Sequence, residues 1–156
     1  VSDQGLPAIF RDHMPRVDWQ RIETGAMGPG TPDLNGCLDG VEVWVECKAT
    51  FGWTLSSLTP QQNSWLARRS RKGGRCFVAV RQLGRGKLFR TAAGPITKRD
   101  SLWLFSAGAS KALLDGVALD EVRPPELLLA AFGGGPANWK WGEVEELLFR
   151  RPTLSG

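Results

Sequence analysis

The sequence predicts an α/β domain with a mixed sheet of about five strands and helices on both sides. Three observations carry that expectation. Val41 to Lys48 alternates apolar and polar residues, Val41, Val43, Val45 and Cys47 against Glu42, Trp44, Glu46 and Lys48, which is the period of a strand. Thr59-Pro60-Gln61-Gln62 reads as a capping box with proline at the first helical position, and Gly73-Gly74 closes the helix it opens. Cys76 to Val80 then forms a short apolar run bounded by turn residues, the pattern of a buried strand.

The elements follow in order. Leu6 to Met14 reads as a first helix, with Pro15 just past its end, and Trp19 to Glu23 as a strand. Residues 24–32 are rich in glycine and proline and form a loop. Asp39-Gly40 is a two-residue hairpin signal. With that turn, Leu38 pairs with Val41 and the count runs back until Asp33 stands opposite Glu46, where Cβ atoms are only ~5 Å apart. Residues 50–58 form a polar and aromatic loop. Gly84-Arg85-Gly86 is a tight turn into a strand from Lys87 to Arg90, and Ser101 to Phe105 is another short strand. Helices are expected at about 109–115, 125–132 and 143–149, separated by the break Gly133-Gly134-Gly135-Pro136. The chain is expected to be one domain over 1–156, with its core at about 6–105 and a C-terminal helical extension at about 106–156.

Composition narrows the function. At 156 residues and 42% apolar, the chain can bury about 70% of its unfolded surface, enough for a core. There is no run of eighteen apolar residues and no pattern of a secretory leader, so a cytoplasmic protein without a membrane partner is expected. Cys37, Cys47 and Cys76 lack metal-finger spacing and fit a reducing compartment, with Cys47 a small core residue. His13 is the only histidine and tyrosine is absent. Histidine-based metal hydrolases, HNH and GIY-YIG nucleases and tyrosine recombinases are thereby disfavoured.

Asp33, Glu46 and Lys48 are what remains for chemistry. Two adjacent carboxylates repel unless a cation joins them. Such oxygen ligands suit Mg²⁺, which keeps several waters and bridges readily to phosphate. Lys48 projects from the same side as Glu46 and could polarise the attacking water or neutralise phosphoryl charge. The bland alternative is a solvated hairpin decorated with a Glu–Lys pair.

Charge is segregated. From Ala49 to Thr97 there is no acid, yet the interval holds Arg68, Arg69, Arg71, Lys72, Arg75, Arg81, Arg85, Lys87 and Arg90. The net charge of +4 says less than this block beside an acidic site. A polyanion such as DNA is the expected partner, with phosphate contacts from Arg68, Arg69, Arg71, Arg75 and Arg85; a solvated basic helix face is the alternative.

These residues carry a family resemblance. Pro32-Asp33, Glu46-Cys47-Lys48, the flanking Arg21-Ile22-Glu23-Thr24-Gly25 and Gly30-Thr31, and the later Leu58-Thr59-Pro60-Gln61-Gln62-Asn63-Ser64-Trp65 resemble the virus-type replication-repair nuclease (VRR-NUC) family of the PD-(D/E)xK superfamily. In spacing they are also similar to archaeal Holliday-junction resolvases. The resemblance spans about residues 10–82. It implies a restriction-endonuclease-like fold and a metal-dependent endodeoxyribonuclease. It further implies Mg²⁺ or Mn²⁺ held by Asp33, Glu46 and the backbone carbonyl of Cys47, with Lys48 assisting water and Gln62 supporting the site. Branched or junction DNA in replication, recombination or repair, a phage or prophage setting in a bacterial cell, and a homodimer matching two-fold substrates all belong to that implication.

Several residues keep two readings. Gln62 is a capping residue or an active-site support. Glu23 is a third acid near the metal or an edge-strand residue, and Arg21 touches phosphate or closes a strand salt bridge. Asp39 reads as a turn residue and Glu42 as solvated. Phe51 and Trp53 stack on bases or cover a loop against the core, while Trp139 and Trp141 read as packing for the last helix. Two rival functions stay open: a sequence-specific restriction-type endonuclease sharing the same site, and a non-catalytic DNA-binding module, which would normally have lost one of the three residues.

Overall fold

The computed structural model describes residues 3–23, 28–84, 89–91, 94–96 and 100–151. Its elements are α1 (Leu6–His13), β1 (Asp18–Arg21), β2 (Leu34–Leu38), β3 (Val41–Thr50), α2 (Pro60–Arg71), β4 (Arg75–Leu83), β5 (Phe89–Thr91), β6 (Gly94–Ile96), β7 (Asp100–Ser106), α3 (Ser110–Leu114), β8 (Leu128–Phe132) and α4 (Trp141–Phe149). Six strands form one mixed sheet in the order β1-β2-β3-β4-β7-β8, one more strand than expected, while β5 and β6 pair as a separate two-stranded ribbon. Only β3 and β4 run parallel; every other neighbouring pair is antiparallel.

The hairpin has the register read from the sequence, Leu38↔Val41 through Leu34↔Val45. Asp39 and Gly40 both take positive φ, 52° and 80°, as a tight two-residue turn with right-twisted strands demands. One face of the sheet packs against α1 and α4 through Leu6, Phe10, Val43, Val45, Leu104, Trp139 and Leu148. The other packs against α2, α3 and the 51–59 loop through Leu55, Trp65, Leu66, Val78, Val80, Phe105 and Leu113. The later half of the polar side of β3 therefore does not face water: Glu46 and Lys48 are 0% and 4% exposed. Alternation correctly gives which residues share a face, but a helix and a loop arriving from later in the chain decide what covers it.

The expected helix at 125–132 is a correction. Pro125–Leu127 make one 3₁₀ turn, and Leu128–Phe132 form β8 on the outer edge of β7. Leucine and alanine are good helix formers, but tertiary context overrides propensity: Pro124 enters extended (φ −66°, ψ 155°) beside an open sheet edge whose backbone groups need partners. The last third is also more than an extension, since Trp139, Val144, Leu148 and Phe149 sit in the core. Trp139 and Trp141 pack together at 5.6 Å, as expected. Cys47 is a buried core residue, and all three cysteines are free. The expected turn at Gly84-Arg85-Gly86 and the start of the strand at Lys87 fall largely outside the described residues, as does Arg85 itself.

Candidate functional site

Asp33 ends its loop one residue before β2, and its main-chain carbonyl accepts from Ile22 N at 2.8 Å, which aligns it with the end of β1. Its Oδ2 accepts from Cys47 N at 2.9 Å. Because β2 stops at Leu34, Cys47 has lost its ladder partner on that side, and the aspartate takes the place of the strand. An extended residue sends its N–H and C=O to the same edge. The Cys47 carbonyl therefore faces the side of β3 where the Asp33 carboxylate lies.

The loop before Asp33 is set by α2. A Cβ on Gly30, whose φ is +85°, would lie 2.3 Å from the Gln61 carbonyl oxygen, so only glycine lets the loop rest on the first turn of the helix. That turn is fixed by the capping box: Thr59 Oγ1 accepts from Gln62 N at 3.2 Å and Gln62 Oε1 from Thr59 N at 2.9 Å. Gln62 thus serves as the cap. Among the described residues, none of its hydrogen bonds reaches Asp33, Glu46 or Lys48.

Glu46 carries the electrostatic signature of the site. Burial, and next the charge of Asp33, push its carboxyl up from the usual range to about 8, against the opposing pull of Lys48. Asp33 is also raised, by burial first, with the Cys47 N–H and Lys48 lowering it and Asp3 raising it. Lys48 Nζ stands 3.4 Å from Glu46 Oε1, a charge contact rather than an aligned hydrogen bond, and donates to the Ser57 carbonyl at 3.0 Å. Neither Glu46 oxygen has a hydrogen-bond partner among the described residues. A buried carboxylate in that condition either keeps its proton or takes a cation. Two carboxylates and a main-chain carbonyl are hard oxygen donors, and with water completing the shell they fit Mg²⁺ or Mn²⁺. Among the described residues no group of three or more acid, histidine or cysteine side chains could hold a metal, so a third side-chain ligand is not brought in.

That bears on Glu23, which lies exposed two residues past β1 and does not join the pair. Asp3, which lies in no recognisable motif, is the acid whose charge reaches Asp33. It is 6% exposed, accepts from Gly5 N at 3.0 Å, and pairs with Arg21 at 3.6 Å. Arg21 is thus engaged in a salt bridge. Arg75 has a structural role: its Nε and one terminal nitrogen donate to the Leu148 and Leu147 carbonyls at 3.1 Å, satisfying the open end of α4. A cleft of about 580 Å³ beside it, lined also by Arg150 and Arg151, lies beyond the amino end of β4 and does not include the carboxylates.

Arg68, Arg69 and Arg71 are exposed on α2. Arg69 lies over Trp65 and Trp44, with its guanidinium 4.5 and 5.5 Å from the ring centres. Two grooves that share Trp65 and Arg68 follow the helix, from Gly28 and Pro29 in the loop leading to Asp33 as far as Arg71 and Lys72. Glu42 is solvated and accepts from Asn35 at 2.8 Å, while Trp53 packs edge-on to Trp103 at 5.8 Å, which is the core-covering reading. Phe51 is 49% exposed. No helix among the described residues is long and apolar enough to cross a membrane. No protein-family model matches this chain, and no curated protein matches it either.

Proposed function

We propose that this protein is a Mg²⁺- or Mn²⁺-dependent DNA endonuclease of restriction-endonuclease-like fold. The observation that carries the reading is Glu46, fully buried with both oxygens unpartnered, beside Asp33 and Lys48. A folded chain tolerates such a group at a place where something binds to it. Asp33, Glu46 and the Cys47 carbonyl would hold the ion, which supplies Lewis-acid activation of phosphate and water. Lys48, anchored by the Ser57 carbonyl, keeps donors for the attacking water or the phosphoryl charge. Arg68, Arg69, Arg71 and Lys72 line a groove along α2 and would bind the phosphate backbone.

The substrate we propose is branched or junction DNA, cut by a homodimer in replication, recombination or repair. That finer reading rests on the motif resemblance. The test is incubation of the purified protein with Mg²⁺ or Mn²⁺ and duplex, single-stranded, flap and four-way junction DNA. Cleavage confined to branched forms supports the proposal. Cuts at one defined sequence in plain duplex would move it to the restriction-type reading, and no cleavage of any form would refute it.

A further inference from the structure

Three buried side-chain polar atoms lack a hydrogen-bond partner among the described residues: Glu46 Oε1, Glu46 Oε2 and Ser57 Oγ. They are not scattered. Lys48 Nζ contacts Glu46 Oε1 at 3.4 Å and donates to the Ser57 carbonyl at 3.0 Å. Covalent geometry keeps a serine Oγ within roughly 3–5 Å of its own carbonyl oxygen. The Ser57 hydroxyl is therefore within about 8 Å of the lysine head, on the residue whose carbonyl that lysine holds.

The loop bearing Ser57 is well tied. Thr50 Oγ1 donates to the Thr54 carbonyl at 2.8 Å, Gln82 Nε2 donates to the Gly52 carbonyl at 2.8 Å, and Leu55 and Leu58 are buried. Ser57 is held between those two anchors, so its orphaned hydroxyl is not the product of a frayed surface. Folded proteins leave few buried hydroxyls unsatisfied. The three orphan atoms belong to the two residues that Lys48 Nζ contacts, which suits a water that accepts from the lysine and donates to oxygen.

We propose that Ser57 is a further catalytic residue, which with Lys48 and Glu46 holds the water that attacks the phosphodiester. This rests on the hydrolytic reading of the same site. Lys48 donates to the water oxygen, and Ser57 Oγ accepts one of its hydrogens, aiming a lone pair at phosphorus. The water oxygen bonds to phosphorus as the bond to one bridging ester oxygen breaks. The water's proton leaves to solvent and the departing oxygen takes a proton from solvent, so no other reactant is required.

The experiment combines crystallography of the full chain, at a resolution that shows waters, with kinetics of Ser57→Ala and Ser57→Thr. An ordered water within hydrogen-bonding distance of both Ser57 Oγ and Lys48 Nζ is expected, and its loss in Ser57→Ala. That variant should lose about 10- to 100-fold in kcat with KM little changed, as for removal of one group that orients a reactant. Ser57→Thr, which keeps the hydroxyl, should stay within a few-fold of the parent. The melting temperature of Ser57→Ala should stay close to that of the parent, and this separates the kinetic loss from a folding defect. A parent structure without that water, or Ser57→Ala turning over like the parent, overturns the proposal. The crystallographic readout needs no turnover. A parent inactive on every DNA would refute the hydrolytic reading and the catalytic role with it, while the density alone still decides whether Ser57 and Lys48 hold a water.

Discussion

At the scale of single residues, the account turns on a carboxyl group whose affinity for protons differs between folded and unfolded chains. Glu46 holds its proton up to about pH 8 when folded and metal-free, against 4.5 ordinarily. Between those values the folded chain binds more protons than the unfolded one, so stability falls as pH rises from about 4.5 to about 8. Thermal melts of the metal-free protein should show that decline, and Glu46→Gln should flatten it. If Mg²⁺ or Mn²⁺ binds the ionised pair as proposed, it should raise the melting temperature more at pH 8 than at pH 5.5. An unchanged pH slope in Glu46→Gln would show that Glu46 is not the titrating group. Legibility differs among these residues. Asp33, Glu46 and Lys48 stand together because hairpin pairing is local and its turn is written in Asp39-Gly40. Asp3 and Ser57 left no pattern, because their places depend on where the N-terminal segment and the 51–59 loop settle.

At the scale of elements, α2 does two jobs that one set of substitutions can separate. Its capping box fixes the first turn, and that turn supports the loop carrying Asp33. Thr59→Ala should destabilise the fold by about 1 kcal/mol in denaturant titration. Gln62→Glu keeps a side chain that can complete the capping box. If the cap is the whole role of Gln62, this variant should retain both stability and cleavage; a cleavage loss of tenfold or more at unchanged stability would instead make Gln62 a participant in the site. Gly30→Ala forces the Asp33 loop off the helix and should lower activity more than global stability. The capping box was readable because it is contained in four consecutive residues. β8 was not, because Leu128 to Phe132 becomes a strand only through the edge that β7 offers it. Arg75 illustrates the same limit: its charge reads as a phosphate contact until α4 folds back and presents its last carbonyls.

At the scale of the whole molecule, α2 carries both the basic side chains and the first turn on which the loop leading to Asp33 rests. If Arg68, Arg71 and Lys72 touch DNA phosphates, replacing all three with alanine should weaken binding to every sequence alike. The slope of log affinity against log salt should flatten by about one unit per lost contact. Affinity should then fall far more at low salt than at high salt; an unchanged slope would make the helix a solvated surface and place the DNA elsewhere. The central claim is that Asp33 and Glu46 form a metal-dependent phosphodiesterase centre, and its most direct test compares the parent with Glu46→Gln in one cleavage assay. Both proteins, shown to be folded and to bind DNA equally, are incubated with Mn²⁺ and a four-way junction, with a chelator control. The parent should cleave and the chelator should stop it, and Glu46→Gln should give no detectable product. Comparable turnover by the variant, or parent cleavage that survives the chelator, would contradict it.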